Sequence, residues 1–416
     1  MDYLNLEQKR QFNEILQFLG ETLDITKTQF EAAVRSYNAV GEWLSRPESQ
    51  LNPYRPEILA QGSFLLGTMI QSINPEDDID IDLVCKLIGK PASWTQFEVK
   101  KVVGDELKNH GTYKKLLEIP DGRRCWTLGY REESDNKQDK YHMDILPSVV
   151  DLGYEILMEK SFSFNGTDDV KELAIRITDK ERDDYYSELS HLEWLKSNPF
   201  GYGKWFFHRA NQNASKVILL SEAVTPVPKY RENKLPLQRI VQILKRHRDM
   251  MFNGDENKPI SIIITTLAAR AYKGETDIVT GLSNVVRDML QYIGERYSSE
   301  HGRIIKWIEN PVNDEENFAD KWPDHPIRQE NFYKWHAQLS ADLREFGSKM
   351  GTGIYELQES VGKTFGKNIA DKAFEKYGLL MRGKREDGSL KIAKGSGILG
   401  ASVGLPVKNH NFEGTF

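Results

Sequence analysis

Three aspartates stand at two-residue spacing in Asp78-Ile79-Asp80-Ile81-Asp82, and the run continues as Leu83-Val84-Cys85. On an extended strand alternate side chains share a face. Asp78, Asp80 and Asp82 would then line one side, and Ile79, Ile81 and Leu83 the other. Carboxylates so close repel one another unless a cation or solvent compensates. Mg²⁺ takes oxygen ligands, commonly one or two protein carboxylates completed by substrate phosphates. The pattern suits one or two divalent ions that also hold a nucleoside triphosphate. The plain alternative is a solvated acidic strand edge, which the entry into an apolar run makes harder to accept.

Upstream, Gln61-Gly62-Ser63 precedes Phe64-Leu65-Leu66. Glycine lets backbone N–H groups approach a phosphate closely, and a serine hydroxyl can donate to one of its oxygens. Taken alone such a pair is a turn; its position ahead of the acidic strand gives it meaning. Downstream, Tyr141-His142-Met143-Asp144-Ile145-Leu146-Pro147 embeds one acid among apolar neighbours. A buried acid needs partners. An arginine ion pair would serve. If this strand lies beside the first, Asp144 becomes a third carboxylate, able to ligate metal and accept the proton of an attacking hydroxyl.

The elements that must position these residues read from periodicity. Apolar residues recur at helical spacing through the first 50 or so residues. The period then changes to two. Strands are expected at the acidic run, Cys125 to Tyr130 and Tyr141 to Val150, with a helix from Trp94 to His110 and a charged loop from Glu132 to Lys140. Helix dominates again from about Leu189, at Leu235–Met251, Ile260–Ala271, Val285–Tyr297 and Phe332–Phe346. From about Gly383 the composition is rich in Gly, Ser and Lys and reads as a flexible tail. In Ile243-Leu244-Lys245-Arg246-His247-Arg248 the basic run is a phosphate contact or a solvated helix face. Ser261 opens the next helix, where a hydroxyl and free N–H groups suit an anion or a plain N-cap. Trp205, Phe206 and Phe207 read as core, Arg123 and Arg124 as a hairpin edge. His142 reads as structural, since the nine histidines show no metal-ligand spacing.

Composition bounds the rest. The 416 residues are 39% hydrophobic and 28% charged, with a net charge of −6. This is a globular chain of two or three domains. Its charge argues against a sequence-specific nucleic-acid binder. Two cysteines, Cys85 and Cys125, exclude a disulfide scaffold and fit a reducing cytoplasm. No apolar run is long enough to span a bilayer, and the first residues lack the pattern of a signal peptide.

The segments QGSFLLGTMI, DIDIDLVCKL, YHMDILPSVV, PLQRIVQILKRHRD and PISIIITTLAARAY, in this order, resemble the polymerase-β-like nucleotidyltransferases. Within them the chain is similar to the bacterial cyclic-oligonucleotide synthases of anti-phage signalling, relatives of cyclic GMP–AMP synthase and oligoadenylate synthase. The resemblance implies an α+β, two-lobed fold: a polymerase-β-like core with a mixed sheet, and a mainly helical, oligoadenylate-synthase-like lobe. The expected division is a helical segment over 1–55, the catalytic core over 56–188, the helical lobe over 189–382 and the tail over 383–416. The resemblance makes Asp80, Asp82 and Asp144 the catalytic metal triad, holding two Mg²⁺ or Mn²⁺ ions. It places Gln61, Gly62, Ser63, Lys245 and Ser261 on the nucleotide. Sixteen residues separate Ser63 from Asp80, a longer gap than the family pattern, and Asp78 with Asp80 is the alternative pair.

The implied reaction joins NTPs, ATP among them, with release of pyrophosphate. The implied setting is cytoplasmic, with HORMA-type or ubiquitin-transfer-like accessory proteins. By its composition the Gly-rich tail would be a conjugation or docking handle. A linear template-free transferase and a nucleotide-binding scaffold without turnover are the rival readings.

Overall fold

A computed structural model describes residues 4–73, 79–131, 140–154, 156–157, 169–212, 230, 232–350, 353–394, 398–400 and 404–407. Two helices lead the chain, α1 (Leu6–Leu23) and α2 (Lys27–Ser45), each opened by a capping box on Asn5 and on Thr26. The residues that repeat every three to four positions are buried: Phe12, Ile15, Leu16 and Leu19 on α1, and Tyr37, Val40 and Leu44 on α2. The chain falls into two compact units. One comprises Ile25–Lys234 with Glu309–Asn317, and the other Met1–Asp24, Leu235–Ile308 and Phe318–Phe416.

The first unit is α+β. In chain order it contains β1 (Glu57–Ala60), α3 (Gly62–Leu66), β2 (Ile79–Ile88), α4 (Gln96–Lys108), α5 (Tyr113–Leu116), β3 (Trp126–Tyr130), β4 (Tyr141–Val150), β5 (Ile175–Ile177), β6 (Leu195–Ser197) and α6 (Pro199–Ala210). The strands form one mixed sheet in the order β1-β2-β4-β5-β6, with β3 also on β4. β2 and β4 run parallel over their full ten-residue lengths, Ile79 opposite Tyr141 to Ile88 opposite Val150. β3 borders the first half of β4 and β5 the second, both antiparallel.

Each face of the sheet has its own core. Ile81, Leu83, Cys85, Leu87, Met143 and Ile145 pack with residues of α2 and α4. Val84, Ile88, Leu146 and Val150 pack on the opposite face with Leu173, Ile175, Ile177 and Phe200. The sheet runs on past residue 188, since β6 pairs with β5. Trp205 and Phe206 are buried on α6, as a core reading requires. Arg123 and Arg124 both donate to the buried Asp179 carboxylate, at 2.6 and 2.8 Å.

The second unit is mainly helical. It holds α1, α7 (Pro236–Phe252), α8 (Ser261–Ala271), α9 (Ile278–Asp288), the hairpin β7 (Gly294–Ser298) with β8 (Arg303–Trp307), then α10 (Pro326–Lys349), α11 (Ile354–Phe365) and α12 (Lys367–Glu386). The helix expected over Val285–Tyr297 is not formed as such. α9 stops at Asp288 and, after a short 3₁₀ turn, Gly294–Ser298 becomes a strand. Gly294 is a poor helix former, and Ile304 to Trp307 supply the backbone partners that a helix would otherwise provide. The region expected to be a flexible tail is partly built into this unit. α12 runs to Glu386, Lys391–Ile392 pairs with Leu405–Pro406, and Ala393 and Ile398 are buried. Asp78, most of the expected charged loop (132–139) and the last residues (408–416) lie outside the described residues.

α1 is tied into its unit by a buried arginine. Arg239 of α7 is fully enclosed and donates to the Gly20 carbonyl (2.8 Å), the Asp24 carboxylate (2.7 Å) and the Gln242 amide oxygen (3.0 Å). Gln242 in turn donates to the second Asp24 oxygen at 2.7 Å. Among the described residues, no helix is long and apolar enough to cross a membrane.

Candidate active site

The parallel register decides where the acids meet. Asp80 stands opposite His142, and Asp82 opposite Asp144, on neighbouring strands. All four lie on one face, the same face whose deeper positions are Val84 and Leu146. The polar heads of β2 and β4 therefore sit directly above a hydrophobic core, which anchors both strands and limits how far the acids can separate. Tyr130 and Tyr141 stack with ring centroids 4.8 Å apart, and the Ser36 and Tyr141 hydroxyls hydrogen-bond at 2.7 Å, which fixes the start of β4.

Asp80, His142 and Asp144 form a group whose ligand atoms all lie within 4.8 Å of one another. His142 Nε2 is 3.2 Å from Asp80 Oδ1. Asp80 is exposed, while His142 and Asp144 are half-buried. Thr127, opposite Asp144 on β3, donates its hydroxyl to Asp144 Oδ1. Burial holds the Asp144 carboxyl above the ordinary carboxylate range; the Thr127 hydrogen bond opposes this, the Asp80 charge adds to it and His142 offsets part. Cys125, just ahead of β3, is pushed up to about 12, by burial first and then by the carboxylates of Asp144 and Asp82. Two carboxylates and an imidazole in this reach are a fitting donor set for a divalent cation. Asp82 is not in that group. It instead meets the turn at Gly62 that opens α3.

That turn is built against β2. The Gln61 N–H donates to the Asp82 carbonyl at 2.9 Å, and the Thr68 N–H donates to the Ser63 carbonyl at 3.0 Å. Gly62 has φ +57°, a left-handed conformation that only glycine adopts cheaply. A Cβ there would also collide with the Asp82 carboxylate. Gly62→Ala is thus expected to displace Asp82 and strain the turn. The expected result is a fall in turnover of roughly a hundredfold, as for a reacting group misplaced by about 1 Å. Steady-state kinetics beside a circular-dichroism spectrum of unchanged shape would show it; unchanged kinetics would remove Gly62 from the site.

The remaining two expected residues lie in the helical unit. Lys245 is buried on α7, and so are Arg246, His247 and Arg248. This is not a solvated helix face. Arg246 donates to the Phe365 carbonyl (3.0 Å), His247 pairs with Asp342 (2.9 Å), and Arg248 donates to the Pro259 carbonyl (3.1 Å). The Ser261 hydroxyl accepts a 2.8 Å hydrogen bond from Arg248, and Ile260, not Ser261, occupies the N-cap position of α8.

Residues 56–147 match the family model described as cyclic GMP-AMP synthase DncV-like, nucleotidyltransferase domain. Residues 56–147 are a DncV-like nucleotidyltransferase domain. The matched residues run from just before β1 into β4, so they contain the turn, β2 and Asp144. The nucleotidyltransferase is 28% identical over 414 residues to a c-di-GMP synthase of Roseivirga ehrenbergii, with 98% of each chain covered. It is 21% identical over 399 residues to the cyclic dinucleotide synthase CdnG of Bradyrhizobium diazoefficiens, covering 90% of this chain and 86% of the relative. The solved structure of that CdnG in complex with GTP shares the fold at TM-score 0.61 and 19% identity, over 88% of this chain and 99% of the other. An Escherichia coli MS115-1 CdnC, solved in a complex with a HORMA protein, does so at 0.52 and 13% identity, over 85% and 96%.

The reading from sequence missed three neighbours of the acids: His142, Thr127 and Cys125. The strand alternation carried a signal for each. His142 is two residues before Asp144, and Cys125 and Thr127 alternate along the strand expected just before theirs.

Proposed function

We propose that this nucleotidyltransferase joins two nucleoside triphosphates into a cyclic dinucleotide, releasing pyrophosphate at each of two steps. The observation that carries the reading is the register of β2 on β4, which sets Asp82 beside Asp144 and Asp80 beside His142. In the first step a ribose hydroxyl oxygen attacks an α-phosphorus. The O–P bond forms, the bond to the pyrophosphate oxygen breaks, and the hydroxyl proton passes to Asp144. In the second step the free hydroxyl of the linear intermediate attacks its own α-phosphorus and closes the ring. A carboxylate whose proton affinity burial has raised is a better proton acceptor than an ordinary one. Asp80, Asp82 and Asp144 are the residues that would hold Mg²⁺ or Mn²⁺, two ions in the full site. A divalent cation there supplies Lewis-acid stabilisation of charge on the α-phosphate and lowers the pKa of the attacking hydroxyl. Gln61, Gly62 and Ser63 orient the triphosphate from the turn. Lys245 and Ser261 enter as further triphosphate contacts on the strength of the family motif.

GTP is the first substrate to test, because the relatives that align over almost the whole length are named for c-di-GMP and cyclic dinucleotide synthesis, and one is solved with GTP. ATP is the second. The proposed setting is anti-phage signalling in the cytoplasm. A HORMA-type accessory protein, of the kind solved with CdnC, or a ubiquitin-transfer-like one would regulate it.

The test is an incubation of the purified chain with four labelled NTPs and Mg²⁺ or Mn²⁺, then phosphatase treatment and mass analysis. The Asp80→Asn/Asp82→Asn double variant is the control. A phosphatase-resistant product, absent from the control and containing guanosine, is the expected result. A phosphatase-sensitive product identifies a linear transferase. NTP binding without pyrophosphate release, with or without an accessory protein, identifies a scaffold.

A further inference from the structure

The acids at the heads of β2 and β4 do not gather as three carboxylates. The group within mutual ligand reach is Asp80, His142 and Asp144, two oxygens and one nitrogen. His142 owes its place to register. It is the cross-strand partner of Asp80 on one side and of Gly129 on the other. Gly129 has no side chain to crowd the ring, while Asp80 lies with its Oδ1 3.2 Å from His142 Nε2. Asp144, two residues on along the same face, completes the set. Asp82 lies outside this group, where a Cβ on Gly62 would meet its carboxylate.

We propose that His142 is a nitrogen ligand of the cation site and makes it select a first-row transition ion such as Mn²⁺ over Mg²⁺. The inference rests on the metal reading of Asp80 and Asp144. Its chemistry is that of donor type. Mg²⁺ takes oxygen ligands and keeps its waters, whereas imidazole nitrogen binds first-row divalent ions in preference. An all-carboxylate triad gives no such bias. The chain thus carries a selectivity element in a position that a hydrophobic–acid motif does not specify.

The test uses the full chain, stripped of metal and titrated with Mn²⁺ by electron paramagnetic resonance, with Mg²⁺ measured by competition. Wild type, His142→Asn and Asp144→Asn are compared. Pulsed resonance on the wild-type Mn²⁺ complex is expected to show modulation from a directly bound nitrogen. That modulation should change frequency when the histidines carry ¹⁵N, a readout that depends on no variant folding. His142→Asn should lose the modulation and weaken Mn²⁺ binding about tenfold or more, a loss of the size expected when a group supporting a metal is removed. Its Mg²⁺ affinity should stay within about twofold. Mn²⁺ bound by wild type and lost in Asp144→Asn, but with no nitrogen modulation, would overturn the proposal and leave the acid reading standing. His142 would then be an ion-pair partner of Asp80. Failure of wild type to bind Mn²⁺ at all would overturn both.

Discussion

Asp144→Asn is expected to abolish nucleotidyl transfer, by roughly a thousandfold or more, while leaving the metal-free protein as hard to melt as wild type or harder. The first part follows from the role proposed for the carboxylate. Charge stabilisation at a metal-assisted phosphate centre amounts to several kcal/mol, and each 1.4 kcal/mol is about tenfold in rate. The second part follows from the direction of its pKa. Burial raises the Asp144 carboxyl above its unfolded value, with the Asp80 charge adding to the rise. The folded chain therefore holds that proton more tightly than the unfolded chain. Its contribution to stability is present below the unfolded pKa and is lost as pH rises through the folded one. Above the folded pKa the ionised group is a net burden. Asparagine carries no charge at any pH, and its Oδ1 can still accept the Thr127 hydrogen bond. Pyrophosphate release and a melting curve in chelator check both halves. A variant that loses activity and also melts several degrees lower would make Asp144 a structural ion-pair member instead.

The second large effect lies far along the chain from the acids. Arg239→Ala should cost roughly 3–5 kcal/mol, the usual penalty for removing one partner of a buried ion pair. In a unit of this size that corresponds to a fall in melting temperature of about 10 °C or more. Arg239 is fully enclosed and is held by Gly20, Asp24 and Gln242. Truncation takes the guanidinium away from the Asp24 carboxylate and opens a cavity beneath α1. Replacing both members, Arg239→Met with Asp24→Asn, should recover a good part of the loss, since the cost comes chiefly from the orphaned charge. Scanning calorimetry on the single and double variants decides it. A double variant no better than the single would place the loss in packing.

Much of the site was legible because strands write their faces into the sequence at period two. The alternation from Asp80 to Leu83 and the span Tyr141–Val150 both reappear as strands, β4 at the stated ends. What alternation cannot report is which strand lies next to which and with what offset. His142 shows this. Its spacing to the other eight histidines is uninformative, yet a parallel neighbour with zero offset to Asp80 brings it to a carboxylate. Asp82 shows the reverse: it has the right residue type on the right face, but the fold turns it toward Gly62. The basic run on α7 failed as a surface reading for a related reason. Four basic side chains look solvated, yet all four are buried, and Arg246, His247 and Arg248 find acceptors at Phe365, Asp342 and Pro259, the first two far along the chain. Val285–Tyr297 kept a helical period until Gly294, where long-range strand pairing outweighed local preference.

The contact between Asp24 and Arg239 spans 215 residues of chain. A ribosome adding roughly 5–20 residues per second takes on the order of 10–40 s to cover that distance. All six strands of the main sheet are encoded by residue 197 and can assemble in that interval. α1 cannot: Phe12, Ile15, Leu16 and Leu19 wait, uncovered, for helices not yet made. The nascent protein therefore carries an uncovered apolar stripe until α7 and the later helices are made, a handle that a chaperone can hold. A chain cut short before α7 keeps that stripe exposed, so the first helix doubles as a mark of unfinished protein.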